Sequence, residues 1–467
     1  MLEPLEQSRW TPEAAAHLLN RAGFGGSLEE ISKLHELGHM AAVDHLVSAG
    51  EELDLYPIPP LSTPAENARV RRELKKLAPQ EQMQRKKMLK EAEREQIDGL
   101  RFWWLQRMRA TPNPVREKAV LFWHGHWATS VVKVKEPYLI WQQNETLRAH
   151  ALGNFTPFAK EMTRDAAMIR YLDLNTSTAR SPNENFAREL MELFTLGEGN
   201  YTEMDIREAA RAFAGYRTNS ATGKFQLATR FADTGNKKFF GRSGPLKGDD
   251  VVEELTAQPR CAEFLAGKIW NFYAGGTPSP ALLGELAGCY RKEQLHTGAL
   301  LKKIFVSREF YSDQVVRRQI KSPVQWLVQT CKILDIPLPN GRLSDNVLRQ
   351  LGQVLFAPPN VKGWDGGRAW ISSATLLLRY NTAGQIVKAR RSGENSPVTP
   401  PDIDRIIPRE ATPEEACEAI ESTIFQSRMP DSLRQKAKDF LIANGSGATA
   451  RRELLHLVMS TPEYQLT

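Results

Sequence analysis

The stretch SPNENFARELMELFTLG, residues 181–197, decides the fold class. Ser181, Pro182 and Glu184 supply an N-cap, a first-turn proline and an early acid, and Gly197 ends the run. Leu190, Leu193 and Phe194 recur at helical spacing, so the pattern predicts a helix over 182–196. Its other side is polar, because Asn185, Arg188, Glu189 and Glu192 fall at i, i+3, i+4 and i+7. The same punctuation recurs outward in both directions. Thr11 precedes Pro12, Ser27 and Glu30 form a capping box before a helix that stops at Gly38, and Asn113 precedes Pro114. Thr156 precedes Pro157, and Thr202 caps a helix running to Gly215. Strand-like alternation is scarce. Its best example is one hairpin near 224–241, with KFQLATRF and KKFFG flanking a turn at 234–236. The fold class that follows is mainly α, a multi-helix globular or array architecture with that single short hairpin.

At 467 residues the chain exceeds the roughly 250–300 residues at which one hydrophobic core stops growing. The expected organisation is an N-terminal helical cluster over 1–50, a charged helical hairpin over 66–110 broken near Pro79, a main helical domain over 111–390 and a C-terminal helical unit over 414–467. Proline-rich connections fall at 51–65 and 391–413. Hydrophobic residues at 41% and charged residues at 25% exclude wholesale disorder and a multi-span membrane protein. No apolar run approaches the roughly 18 residues of a spanning helix. The opening residues show no basic segment followed by an apolar one, which makes the cytoplasm the expected location. Cys261, Cys289, Cys331 and Cys417 are far apart and read as small buried hydrophobes of a reducing compartment. The net charge of +7 admits acidic partners. In the charged hairpin, however, acids interleave with the bases, and its aromatics wait until Phe102, Trp103 and Trp104, which weighs against nucleic acid. LLKKIFVSREF, residues 300–310, resembles LLHLVMSTPEY, residues 454–464, but two copies do not make a solenoid.

Two constellations carry chemistry. In FWHGHW, residues 122–127, His124 and His126 are candidate ligands for a divalent transition metal, with Gly125 permitting an unusual backbone turn. Glu189 and Glu192 are candidate ligands or general bases beside them, and Arg188 a candidate for orienting an anionic substrate. The more ordinary arrangement pairs Arg188 with Glu184 or Glu192 and bonds both histidines to backbone carbonyls. The second constellation is the loop containing Asn360, Lys362, Gly363, Trp364, Asp365, Gly366, Gly367 and Arg368. Glycines at that density let amides approach a ligand, and Lys362 with Arg368 would attract a phosphate or carboxylate. The favoured reading of the same loop is a rigid turn, anchored by Trp364 and Trp370, that caps the following helix. Walker, GxSxG, SxxK and HExxH patterns are all absent from the sequence.

FWHGHW, NENFARELMELFTLG (residues 183–197) followed by GNYTEMDIREAARAFAGY, and PPNVKGWDGGRAWISSATLLLRYN (residues 358–381), together with the opening HLLNRAGFG (residues 17–25), resemble a bacterial family known as domain of unknown function 1800. The resemblance implies a helical fold without an established role. It also implies a candidate partner, because relatives are often encoded beside secreted proteins resembling sulfatases and alkaline phosphatases. Many relatives carry export signals; this sequence shows none. Relatives commonly place His where this chain has Phe194, and a His-Asp pair where it has Ala232 and Asp233. Two functional expectations follow. The favoured one is a non-catalytic scaffold or accessory protein working with another protein through the charged hairpin and the PPNVKGWDGG loop. The alternative is a metal-dependent, hydrolase-like enzyme built on the His/Glu polar centre.

Overall fold

The computed structural model describes residues 2–48, 56–389 and 396–467. Residues 51–55 and 391–395, parts of the two expected connections, lie outside the described residues. Among the described residues, 23 α-helices and two small two-stranded antiparallel sheets make a mainly α fold. No helix among them is long and apolar enough to cross a membrane.

Local chemistry sets the helix starts. Thr11 accepts from the Ala14 amide, and Ser27 and Thr202 close capping boxes with Glu30 and Asp205. Two expected caps are corrected. The helix Glu184–Glu189 is capped by Asn183, whose side chain accepts from the Phe186 amide while donating to the Leu172 carbonyl. Ser181 instead closes a bridge to Thr178. Thr156 lies inside the helix Phe155–Arg164, where its hydroxyl bonds Thr256 at 3.0 Å.

The expected strands exist but pair differently. β1 (Tyr216–Thr218) pairs with β2 (Phe225–Leu227), and β3 (Lys237–Phe239) with β4 (Arg242–Gly244). KFQ therefore joins a strand upstream and KKF one downstream, rather than each other. The second turn explains why: Phe240 and Gly241 both have positive φ, 45° and 89°, as a tight two-residue hairpin demands. The similarity between residues 300–310 and 454–464 is structural as well. The helices Thr297–Val306 and Ala448–Met459 each lead into a short 3₁₀ turn that buries an aromatic, Phe310 or Tyr464.

Buried apolar residues form one cluster running from Leu2 to Tyr464. The charged helix Pro79–Ala110 enters it lengthwise: its first half is largely exposed, whereas Ile97, Leu100, Trp103, Trp104, Leu105 and Met108 are buried. At the inner end sits Glu117, 0% exposed. It accepts from Trp104 Nε1 at 2.9 Å, Arg107 Nε at 3.0 Å and the Arg148 guanidinium. Burial alone would raise its pKa, but Arg148 and Arg107 hold the carboxyl below the ordinary glutamate value. Removing one member of such a set leaves buried charge uncompensated. Glu117→Gln should therefore cost about 3 kcal/mol in urea unfolding; a change within the scatter of surface mutants would show that this charge cluster does not hold the core.

Candidate functional site

The helix Pro114–His126 ends in FWHGHW, and helical geometry turns His124 and His126 roughly 200° apart. His124 Nε2 accepts from the Phe356 amide at 3.1 Å, and its ring lies among Trp104, Phe356 and Trp364. Burial pushes its pKa down to about 3, so the ring is neutral. His126 Nε2 donates to the Phe194 carbonyl at 3.1 Å, which leaves Nδ1 as a buried acceptor without a hydrogen-bond partner among the described residues. One of the two expected carbonyl bonds is thus present; the other is an amide donated to His124.

The carboxylate stripe is also reshaped. After Glu189 the chain widens into a π-helical turn, Leu190–Thr195, closed by the Leu196 amide on the Met191 carbonyl and the Thr195 hydroxyl on the Leu190 carbonyl. The regular spacing expected across 182–196 is lost there. Phe194 turns inward against Trp127, its ring 4.6 Å away. Arg188 pairs with Glu203, both N···O distances 2.9 Å, rather than with Glu184 or Glu192. Glu189 is half-buried, and burial with neighbouring Glu192 raises its pKa. Glu192 accepts from the Tyr201 hydroxyl at 2.8 Å and lines a small cavity with His126, Lys268 and Lys362. Among the described residues no three His, Cys, Asp or Glu side chains are grouped to hold a metal ion.

The 360–368 loop lies directly on the end of the FWHGHW helix. Gly363 has φ +85°, and a Cβ there would collide with the Gly125 carbonyl oxygen. Gly125 itself sits within the helix, not at an unusual turn, and presents its carbonyl to the loop. Asn360 fixes the loop by accepting from the Lys362 amide at 2.8 Å. Trp364 packs on His124, Trp370 is buried, and Asn360 and Arg368 are exposed.

Between this loop, the FWHGHW helix, the helix Pro259–Ala274 and residues 319–325 lies a cavity of about 230 Å³. Lys118, Lys268, Lys321 and Lys362 line it, with Asn271, Gln319, Ser322, Gln325 and Gln353 between them and Phe122, Phe272, Trp364 and Trp370 on its walls. Lys118 and Lys321 are only 7% and 4% exposed. Among the described residues neither they nor Lys268 has an ion pair with a carboxylate side chain. Lys118 donates to Gln325 Oε1 and faces the rings of Phe24 and Phe272. The Lys321 ammonium stands 4.0 Å over the Tyr464 ring. Burial, reinforced by Arg21 near Lys118 and by Arg317 and Arg379 near Lys321, pushes both lysines well below their ordinary pKa. Lys268 is brought down to about 8 by burial. The acid on the lining is Asp365, exposed at the rim.

Of the expected residues, this cavity gathers His126, Lys362, Gly363's neighbour Trp364 and the two following glycines; His124 supports Trp364 from behind. Sequence reasoning missed Lys118, Lys268 and Lys321. A signal existed for the first two: Lys118 lies one turn before Phe122, and Lys268 interrupts FLAGKIWNFY, so both put a charge where an apolar stripe should run. Replacing Gly363 by Ala should cost about 2 kcal/mol or more, from left-handed strain and overpacking together. Urea unfolding followed by tryptophan fluorescence checks this; unchanged stability would mean the loop does not rest on Gly125.

Residues 17–466 match a family model described as a protein of unknown function, DUF1800. No curated protein and no solved structure matches the chain.

Proposed function

We propose that this chain, which belongs to the DUF1800 family, is a helical accessory protein that binds a small anionic group in its lysine-lined cavity. The observation that carries the reading is the gathering of buried Lys118 and Lys321 with half-buried Lys268 on one cavity, without side-chain carboxylate partners among the described residues. A buried amine is paired, coordinated or driven towards its neutral form, because an isolated ammonium costs several kcal/mol of desolvation. An entering phosphate, sulfate or carboxylate would supply the missing counter-charge and accept hydrogen bonds from several donors at once. Such a ligand suits the sulfatase- or phosphatase-like neighbour that the resemblance implies as a partner, both being concerned with the same oxyanions.

A second reading, a metal-dependent hydrolase-like enzyme, rests on one observation: His126, with its bare Nδ1, and Glu192 line the same small cavity. About one equivalent of transition metal in protein purified without a histidine tag, lost in Glu192→Gln, would favour it over simple anion binding.

Calorimetric titration of the full chain with inorganic phosphate and sulfate tests the first reading. Binding should weaken with added salt. It should also weaken as pH rises through about 8, where Lys268 loses its proton. Lys321→Met should reduce affinity about tenfold or more while leaving the ligand-free protein as stable or slightly more so, since it removes a buried amine that has no counter-charge. Absence of binding to phosphate and sulfate at millimolar concentration, or binding unaffected by Lys321→Met, would overturn it.

A further inference from the structure

The cavity holds more than positive charge, and its other groups restrict the body that carries the anion. Gln353 is fixed by accepting from the Val324 amide at 2.9 Å, which leaves its side-chain NH₂ unengaged among the described residues. Gln319 is fixed from the other end: its Nε2 donates to the Phe272 carbonyl at 3.0 Å, leaving Oε1 as an acceptor. One immobilised donor and one immobilised acceptor suit hydroxyl groups, which both give and take a hydrogen bond. Asn271 adds a third amide on the same lining.

Aromatic faces complete the chemistry. Trp364 is held against His124, and Phe122 and Phe272 pack tilted against one another with ring centres 5.2 Å apart. Rings fixed in this way offer flat apolar contact to a body whose own faces are apolar and whose rim is polar. A volume of about 230 Å³ lies below the roughly 300–1,000 Å³ of drug-sized sites, which limits the occupant to about one ring. A ring with apolar C–H faces, a hydroxyl rim and one acidic group is an acidic monosaccharide.

Resting on the anion-binding reading, we infer that the cavity takes an acidic monosaccharide, free or at the end of a longer glycan. The oxyanion lies toward Lys118 and Lys321, the hydroxyls meet Gln319 and Gln353, and the sugar face lies on Trp364.

The experiment is calorimetry on the full chain with six probes: inorganic phosphate, inorganic sulfate, glucose 6-phosphate, glucose 6-sulfate, glucuronate and phenyl phosphate. At least one sugar acid should bind about tenfold tighter than the bare oxyanions and than phenyl phosphate, and the tightest arm identifies the acid. Trp364→Ala should erase that advantage, and cooperative urea unfolding of the variant checks that it is folded. Asn271→Ala, at an exposed helix position, should weaken the sugar arm alone and gives a second variant independent of loop packing. If the bare oxyanions bind and the sugar acids bind no tighter, the sugar assignment is overturned while the anion reading stands. Phenyl phosphate matching the best sugar acid would likewise overturn it, because the walls would then be reading only apolar area. If no probe binds, the anion-binding reading falls and the assignment falls with it.

Discussion

Charge taken out of water must be answered by opposite charge or given up, and two adjacent residues of one helix show the molecule meeting that demand in different ways. Glu117 is enclosed by Arg107, Arg148 and Trp104, so its charge is answered within the fold. Lys118, the next residue, is enclosed by Gln325 and two phenyl rings, with Arg21 adding to its charge rather than cancelling it. The first arrangement is a complete buried cluster, costly to break and inert when whole. The second is incomplete, and Lys321 and Lys268 share its cavity in the same condition. A chain that compensates one residue fully and leaves its neighbour uncompensated has room for a ligand where the compensation is missing.

Backbone contacts keep that cavity open and shaped. The loop settles on the helix end where Gly363 meets the Gly125 carbonyl, and glycine at 363 supplies the left-handed turn the loop needs there. Trp364 is thereby pressed onto His124, whose Nε2 is itself held by the Phe356 amide. On the far side the π-helical turn brings the Phe194 carbonyl to His126 and leaves Glu192 beside it on the second cavity. The wall formed by His126, Lys268 and Lys362 is common to both cavities. Position 194, where the resemblance implies a histidine in relatives, is therefore in ring contact with His126, 5.9 Å between centres. That is a physical reason why a different residue there would change this wall.

Much of the fold was legible in the sequence because it is dictated locally. Capping residues such as Ser27 and Thr202 act within three positions, and the helices start where those residues stand. Errors arose where a distant partner decided. Asn183 takes the cap from Ser181 because the Leu172 carbonyl holds its side chain, and β2 and β3 choose partners outside the expected hairpin because the turns at Gly223 and at Phe240 and Gly241 reverse the chain first. The site was half legible. FWHGHW and the glycine-rich loop were recognisable as unusual, and they do meet. Their purpose was not readable, because the histidines' amide and carbonyl partners lie 232 and 68 residues away, and Lys321 comes from a segment with no helical pattern of its own.

The central claim is that an anion completes the charge of this cavity, and anomalous scattering tests it most directly. Crystals of the full chain soaked in selenate or tungstate at pH 7 should show one strong peak within hydrogen-bond reach of the Lys118 and Lys321 ammonium groups. A cavity holding only water under those conditions, with its lysines turned towards carboxylates of the protein itself, would contradict the account.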